Sequence, residues 1–163
     1  MDDVSSDFDD PARTVRDVET ARMLIQAASG INEVERCDAL RFAITLFSDR
    51  EIDEIILLLD DRDEYVREAV VKRLRQIDTP EANRAIQQFH EAVRSFAAGC
   101  AELLGRNGIR ASMHDQTKLR LDDGPVWLNV NMLFGERRGA SFNTFLIERA
   151  KEMLVIKQHG KKR

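Results

Sequence analysis

The stretch Leu57–Ile86, LLLDDRDEYVREAVVKRLRQIDTPEANRAI, decides the fold. Asp61 or Asp63 offers a carboxylate to the unpaired N–H groups that open a helix running to about Ile77. Thr79-Pro80-Glu81 then starts a second helix with a cap, a first-turn proline and an acidic charge at its positive end. Thirty residues upstream the same order of small and large apolar residues recurs: Ala39 matches Ala69, Leu40 matches Val70, and Ile44 matches Leu74. Further along, Phe47 matches Ile77, Glu51 matches Glu81, Ile56 matches Ile86, and Leu59 matches Phe89.

The earlier unit splits in the same way. Glu35 to Phe47 reads as one helix, and Ser48-Asp49-Arg50-Glu51 reads as a capping box opening the next. That second helix presents Ile52, Ile55, Ile56, Leu58 and Leu59. A helical hairpin of this kind cannot cover its own apolar stripe, so such units stack into arrays. The quoted stretch resembles a HEAT repeat of the short, roughly 30-residue class. Asp61, Asp63, Val66, Arg67, Ala69, Leu74, Ile77, Pro80, Glu81, Ala82 and Ile86 carry the resemblance. Thr79 stands where that family usually has Asp, and the first unit has Arg36-Cys37 in place of Val-Arg. The likeness covers about residues 35–89. It implies stacked helix pairs capped by residues 11–30 and by the long helix after Pro80, with a curved surface that binds a partner.

Outward from this core, residues 1–10 are acidic and aperiodic, the composition of a disordered arm. Within it, Val4 and Phe8 read either as a short docking motif or as part of a frayed terminus. Asp10-Pro11 signals a helix start, Val18, Ala21, Leu24, Ile25 and Ala28 form its stripe, and Gly30 ends it. On the other side the helical pattern runs to Leu104 and stops at Gly105-Arg106-Asn107-Gly108. Ile109 to Met113 suits a short strand. Thr117 to Leu121 and Val126 to Met132 alternate around the turn Asp122-Asp123-Gly124-Pro125, the pattern of an antiparallel hairpin. The helix Ser141 to Lys157 offers Phe142, Phe145, Leu146, Met153 and Leu154 as its cover, before a basic tail, Lys161-Lys162-Arg163. The expected fold is mainly α with α+β character. It comprises the arm 1–10, HEAT-like helices with an N-terminal capping helix over 11–89, and an α-β-β-(β)-α unit over 90–163.

Composition agrees with that class. At 43% hydrophobic and 33% charged the 163-residue chain can bury a core and stay in solution, and 6% aromatic is thin for a β-sandwich. Cys37 and Cys100 are distant and belong to no CxxC pair, so they read as buried free thiols. No signal peptide or long apolar run is visible, which points to the cytoplasm and to no membrane partner. The net charge of -4 hides an imbalance: residues 1–64 hold 18 acidic and 7 basic residues, the rest 11 and 18. Two surfaces with different partners, or complementary parts of one assembly, follow from it.

Signals for catalysis are weak. His90, His114 and His159 are scattered, no HExxH, DxD or CxxC spacing offers a metal site, and no GxxxxGK or GxGxxG loop offers a nucleotide site. His114-Asp115 is the one tempting pair, and Asp122-Asp123 is explained by the turn. The expectation is a non-enzymatic protein-interaction module without cofactor, meeting a protein partner or a second copy of itself. Exposed charges Glu64, Arg67, Lys72, Arg73, Arg75 and Arg84 are its candidate contacts. The alternative is nucleic-acid binding by Lys118, Arg120, Trp127, Asn129 and Asn131 together with Arg137 and Arg138 of the Gly135–Gly139 loop. There, Trp127 stacks on a base and the arginines meet phosphates.

Overall fold

A computed structural model describes the backbone of residues 11–160, except 116 and 123, and the side chains within 15–156. The acidic arm, the basic tail, Asp123 and the side chain of His159 lie outside the described residues. The protein is mainly α with α+β character. Packing divides it after Ile86 into two compact units. Among the described residues no helix is long and apolar enough to cross a membrane.

In the first unit, α1 (Pro11–Ala28) packs on α2 (Glu33–Leu46), and α2 packs on α4 (Glu64–Ile77). The short α3 (Ile52–Leu57) lies between 3-10 turns at Asp49–Glu51 and Leu58–Asp60 and packs on α4. The starts of α2, α4, α5 and the Asp49–Glu51 turn are each set by a local hydrogen bond. Asn32 caps α2, and the Ser48/Glu51 capping box opens the Asp49–Glu51 turn. Asp63 caps α4, and Thr79 Oγ1 accepts the Ala82 N–H at the start of α5 (Pro80–Arg106). The caps Asn32 and Asp63 are 31 residues apart, as are Ser48 and Thr79, one more than the apolar offset of 30. Both spacings fit because a helical stripe is two residues wide: Leu40 is buried, and so are Val70 and Val71. Asp78 closes α4 in the left-handed conformation, φ 51°, with its N–H on Leu74 O. Leu40, Ala43 and Ile44 of α2 and Phe47 at its C-terminal end are buried, as are Ile55 of α3 and Val66, Val70 and Leu74 of α4. Burying each large aliphatic side chain contributes roughly 1.5–3 kcal/mol.

In the second unit, α5 ends at Arg106, and beyond it Gly108 takes φ 79° while the Ile109 N–H returns to Leu104 O. This positive φ suits glycine, as the sequence position suggests. Three antiparallel strands follow in order: β1 (Ala111–Asp115), β2 (Lys118–Leu121) and β3 (Val126–Asn129). Leu119, Leu121, Val126 and Leu128 fill the inner face and join Val93, Ala97, Leu104, Leu133 and Leu146 in one core. The alternation expected to carry a strand to Met132 stops at Asn129. Its side chain instead caps α6 (Val130–Glu136) by accepting the Met132 N–H. Val130, Leu133 and Phe134, spaced three and four apart, are buried by that helix, which overrides the alternating pattern. Gly135 and Glu136 of the expected loop therefore belong to α6, and the turn shrinks to 137–141 before α7 (Phe142–Gly160).

Candidate functional site

Two arginines that look like surface charges are buried in the first unit. Arg36 on α2 is 9% exposed and grips the Asp61 carboxylate with both forks, Nη1 to Oδ2 at 2.9 Å and Nη2 to Oδ1 at 2.8 Å. Arg67 on α4 is 2% exposed, and its Nη1 donates to Asp61 O. Asp61 Oδ1 also accepts the Asp63 N–H at 2.8 Å. One residue between the helices thus serves both guanidinium groups and the loop that starts α4. Burial pushes the Asp61 carboxyl up, but the Arg36 hydrogen bonds, the Asp63 N–H and the two positive charges outweigh it and hold the group below its ordinary value. The expectation that Arg67 is an exposed contact is corrected. It follows Val66 on the inner stripe, and its long stem reaches a backbone acceptor that only the folded chain supplies.

With α2 and α4 held this way, a groove of about 510 Å³ opens between them, lined by Arg41, Phe42, Thr45, Tyr65, Ala69 and Lys72 among others. Phe42 is 57% exposed and Tyr65 58%. Of the expected contacts, Lys72 and Arg73 line this groove, whereas Glu64, Arg67, Arg75 and Arg84 do not. Arg73 is half-buried. Its Nη2 donates to Phe47 O and its Nη1 to Gln76 Oε1, while its Nε is buried without an acceptor among the described residues. Glu64 is half-buried at the start of α4, and Arg75 and Arg84 are exposed. Phe42 and Tyr65 escaped the sequence reading. The signal was available, because Phe42 falls off the stripe formed by Leu40, Ala43 and Ile44.

The sheet of the second unit gathers part of the alternative surface. Arg120 lies opposite Ser112 on one side and Trp127 on the other, and Lys118 lies opposite Asn129. These residues alternate with the buried leucines and valine, so Lys118, Arg120, Trp127 and Asn129 share the outer face. The His114 ring is 4.2 Å from the Trp127 ring, and the Arg120 guanidinium is 5.7 Å from it. Asn129 has a second role besides, and Asn131, Arg137 and Arg138 lie outside the strands. Asn129 caps α6, Asn131 is in α6, and Arg137 lies 3.7 Å over the Phe134 ring with Nη1 on Phe134 O. Arg138 is exposed in the turn after α6.

His114 and Asp115 sit on β1, and they engage different partners. His114 meets Trp127, while Asp115 accepts the Thr117 N–H and hydroxyl at 2.7 and 2.8 Å. Those two bonds hold the Asp115 carboxyl below its ordinary value. Asp122 takes φ 47° where the turn after β2 begins, and it exchanges hydrogen bonds with the Arg110 backbone ahead of β1. Cys37 and Cys100 are both free; Cys100 is buried and Cys37 half-buried. Comparison of the chain with protein-family models, curated proteins and solved structures found no match.

Proposed function

We propose that residues 11–86 form a HEAT-like helical-repeat module that binds a partner protein without catalysis in the cytoplasm, through the groove between α2 and α4. The observation that carries this reading is the pair of large aromatic side chains, Phe42 and Tyr65, left more than half exposed beside the same concave surface. Aromatic residues in a groove are the usual anchors of protein interfaces, and a rim of charges sets specificity. Here the lining carries Asp38 and Glu68 beside Arg41, Lys72 and Arg73. The like lengths of α2 and α4, 14 residues each, and their Asx caps support the repeat reading.

The test is affinity capture with nuclease-treated and untreated extracts, using the native chain and the double substitution Phe42→Ala/Tyr65→Ala. Both residues are exposed, so the helical spectrum should be retained. A specific protein, or a second copy of this chain, should be retained by the native form and lost at least about tenfold by the variant. An identical set of captured proteins from both would overturn the groove. A second reading, nucleic-acid binding, is supported by the shared face of Lys118, Arg120 and Trp127. It requires salt-sensitive anisotropy with random single strands that Trp127→Ala weakens.

A further inference from the structure

We propose that the second unit holds a binding pocket for a small organic anion with an apolar body, of the kind a medium-chain carboxylate represents, independent of the groove between α2 and α4. The pocket has a volume of about 470 Å³, within the common size of small-ligand sites, about 300–1,000 Å³. Phe96, Leu103 and Phe142 line it and are only half-buried. They belong to a run of aromatic contacts, with Phe96 5.4 Å from Phe134 and 5.5 Å from Phe142. Such walls suit a hydrocarbon or aromatic body.

Two further observations specify the ligand. Arg137 is the one charged residue lining the pocket among the described residues, and its guanidinium is fixed in place by the Phe134 ring and carbonyl. Phe142 and Asn143, also lining residues, are the first two residues of α7, whose N-terminal end carries partial positive charge. Both features favour an anionic head. Gly99 supplies the other argument. It lies inside the 27-residue α5, where glycine is the poorest helix former after proline. No positive φ requires it, and a Cβ built there meets nothing within 4 Å. Gly105 in the same helix is equally uncrowded, so Gly99 matters for its place on the pocket wall, where a large side chain would project into the open space.

The test uses the full chain with anilinonaphthalene sulfonate as fluorescent probe, decanoate as competitor, and decanol as the uncharged control. Saturable one-to-one probe binding is expected, displaced by decanoate at least about tenfold better than by decanol, because only the acid pairs with the cation. Gly99→Leu should abolish probe binding with helicity kept and Tm unchanged or raised. Arg137→Gln should weaken decanoate about tenfold and leave decanol unchanged, and it decides the matter if Gly99→Leu fails to fold. Probe binding that is non-stoichiometric, insensitive to Gly99→Leu, or indifferent to the head group would overturn the proposal.

Discussion

The two units are held by different forces. Both buried charged side chains among the described residues, Arg36 and Arg67, are in the first, and both depend on Asp61. The second buries an apolar core of strand and helix residues, with Phe89, Phe134, Phe96 and Phe142 touching in series. Helices α2 and α4 are therefore aligned by directional hydrogen bonds as well as by packing, while the sheet, its strands joined by backbone hydrogen bonds, meets its helices through the apolar inner face. A directional staple breaks sharply when one partner is removed, because the other remains buried and unpaired. An apolar contact weakens in proportion to the volume lost.

The largest effect expected is that of Asp61→Ala, which takes the bidentate carboxylate from Arg36 in a site where the paired side chains are 11% and 12% exposed and leaves it only the longer contact to Glu33 at 3.3 Å. It should cost about 3–5 kcal/mol in denaturant unfolding. Amide exchange should rise first in α2 and α4, with the β2–β3 amides slower to respond. Equal acceleration throughout would erase the contrast between the units. The same pair gives an acid limb to native stability. The folded Asp61 carboxyl is held below its unfolded value of about 3.9, so its contribution is present above that pH and disappears as pH falls through the lowered value. Asp61→Ala should flatten this part of the stability profile. Next in size is Leu119→Ala, at a fully buried position of the inner sheet face, with a loss of about 3 kcal/mol. No titrating group is involved, so its loss should stay constant across the same pH range.

What could be read from the sequence was what local chemistry determines. The Ser48/Glu51 box, Asp63 and the Thr79-Pro80 start act within three or four residues, and each opens the helical segment expected of it. The β2–β3 hairpin is equally local, turning over a few residues with paired alternation on both sides. Where two patterns compete over one segment, the reading fails. Val126, Leu128, Val130 and Met132 alternate, yet Val130, Leu133 and Phe134 also fit a helix, and Asn129 as a cap decides for the helix. Arg67 failed for a tertiary reason, since its acceptor is the Asp61 carbonyl, placed by the chain between α3 and α4. The pocket residue Gly99 was visible as a glycine in an unbroken helical run, but its meaning depended on the open space beside it.

The smallest effect separates the units through their cysteines. Cys37, in the first, is pushed up to about 11, chiefly by burial and next by the negative charge of Asp63, whose Oδ1 also accepts from the thiol at 3.5 Å. Cys100, in the second, is pushed up to about 12 by burial alone. Asp63→Asn keeps a side-chain oxygen for the Tyr65 N–H, so α4 should retain its start, because Asn and Asp cap about equally well. It removes the charge facing Cys37. Iodoacetamide should then alkylate Cys37 about threefold faster at pH 8, the consequence of roughly half a pKa unit, while the Cys100 rate is unchanged. A matching rise at both thiols would mean general loosening of the chain rather than loss of one local charge. No change at Cys37 would show that burial alone sets its reactivity, and in this respect the two units would then be alike.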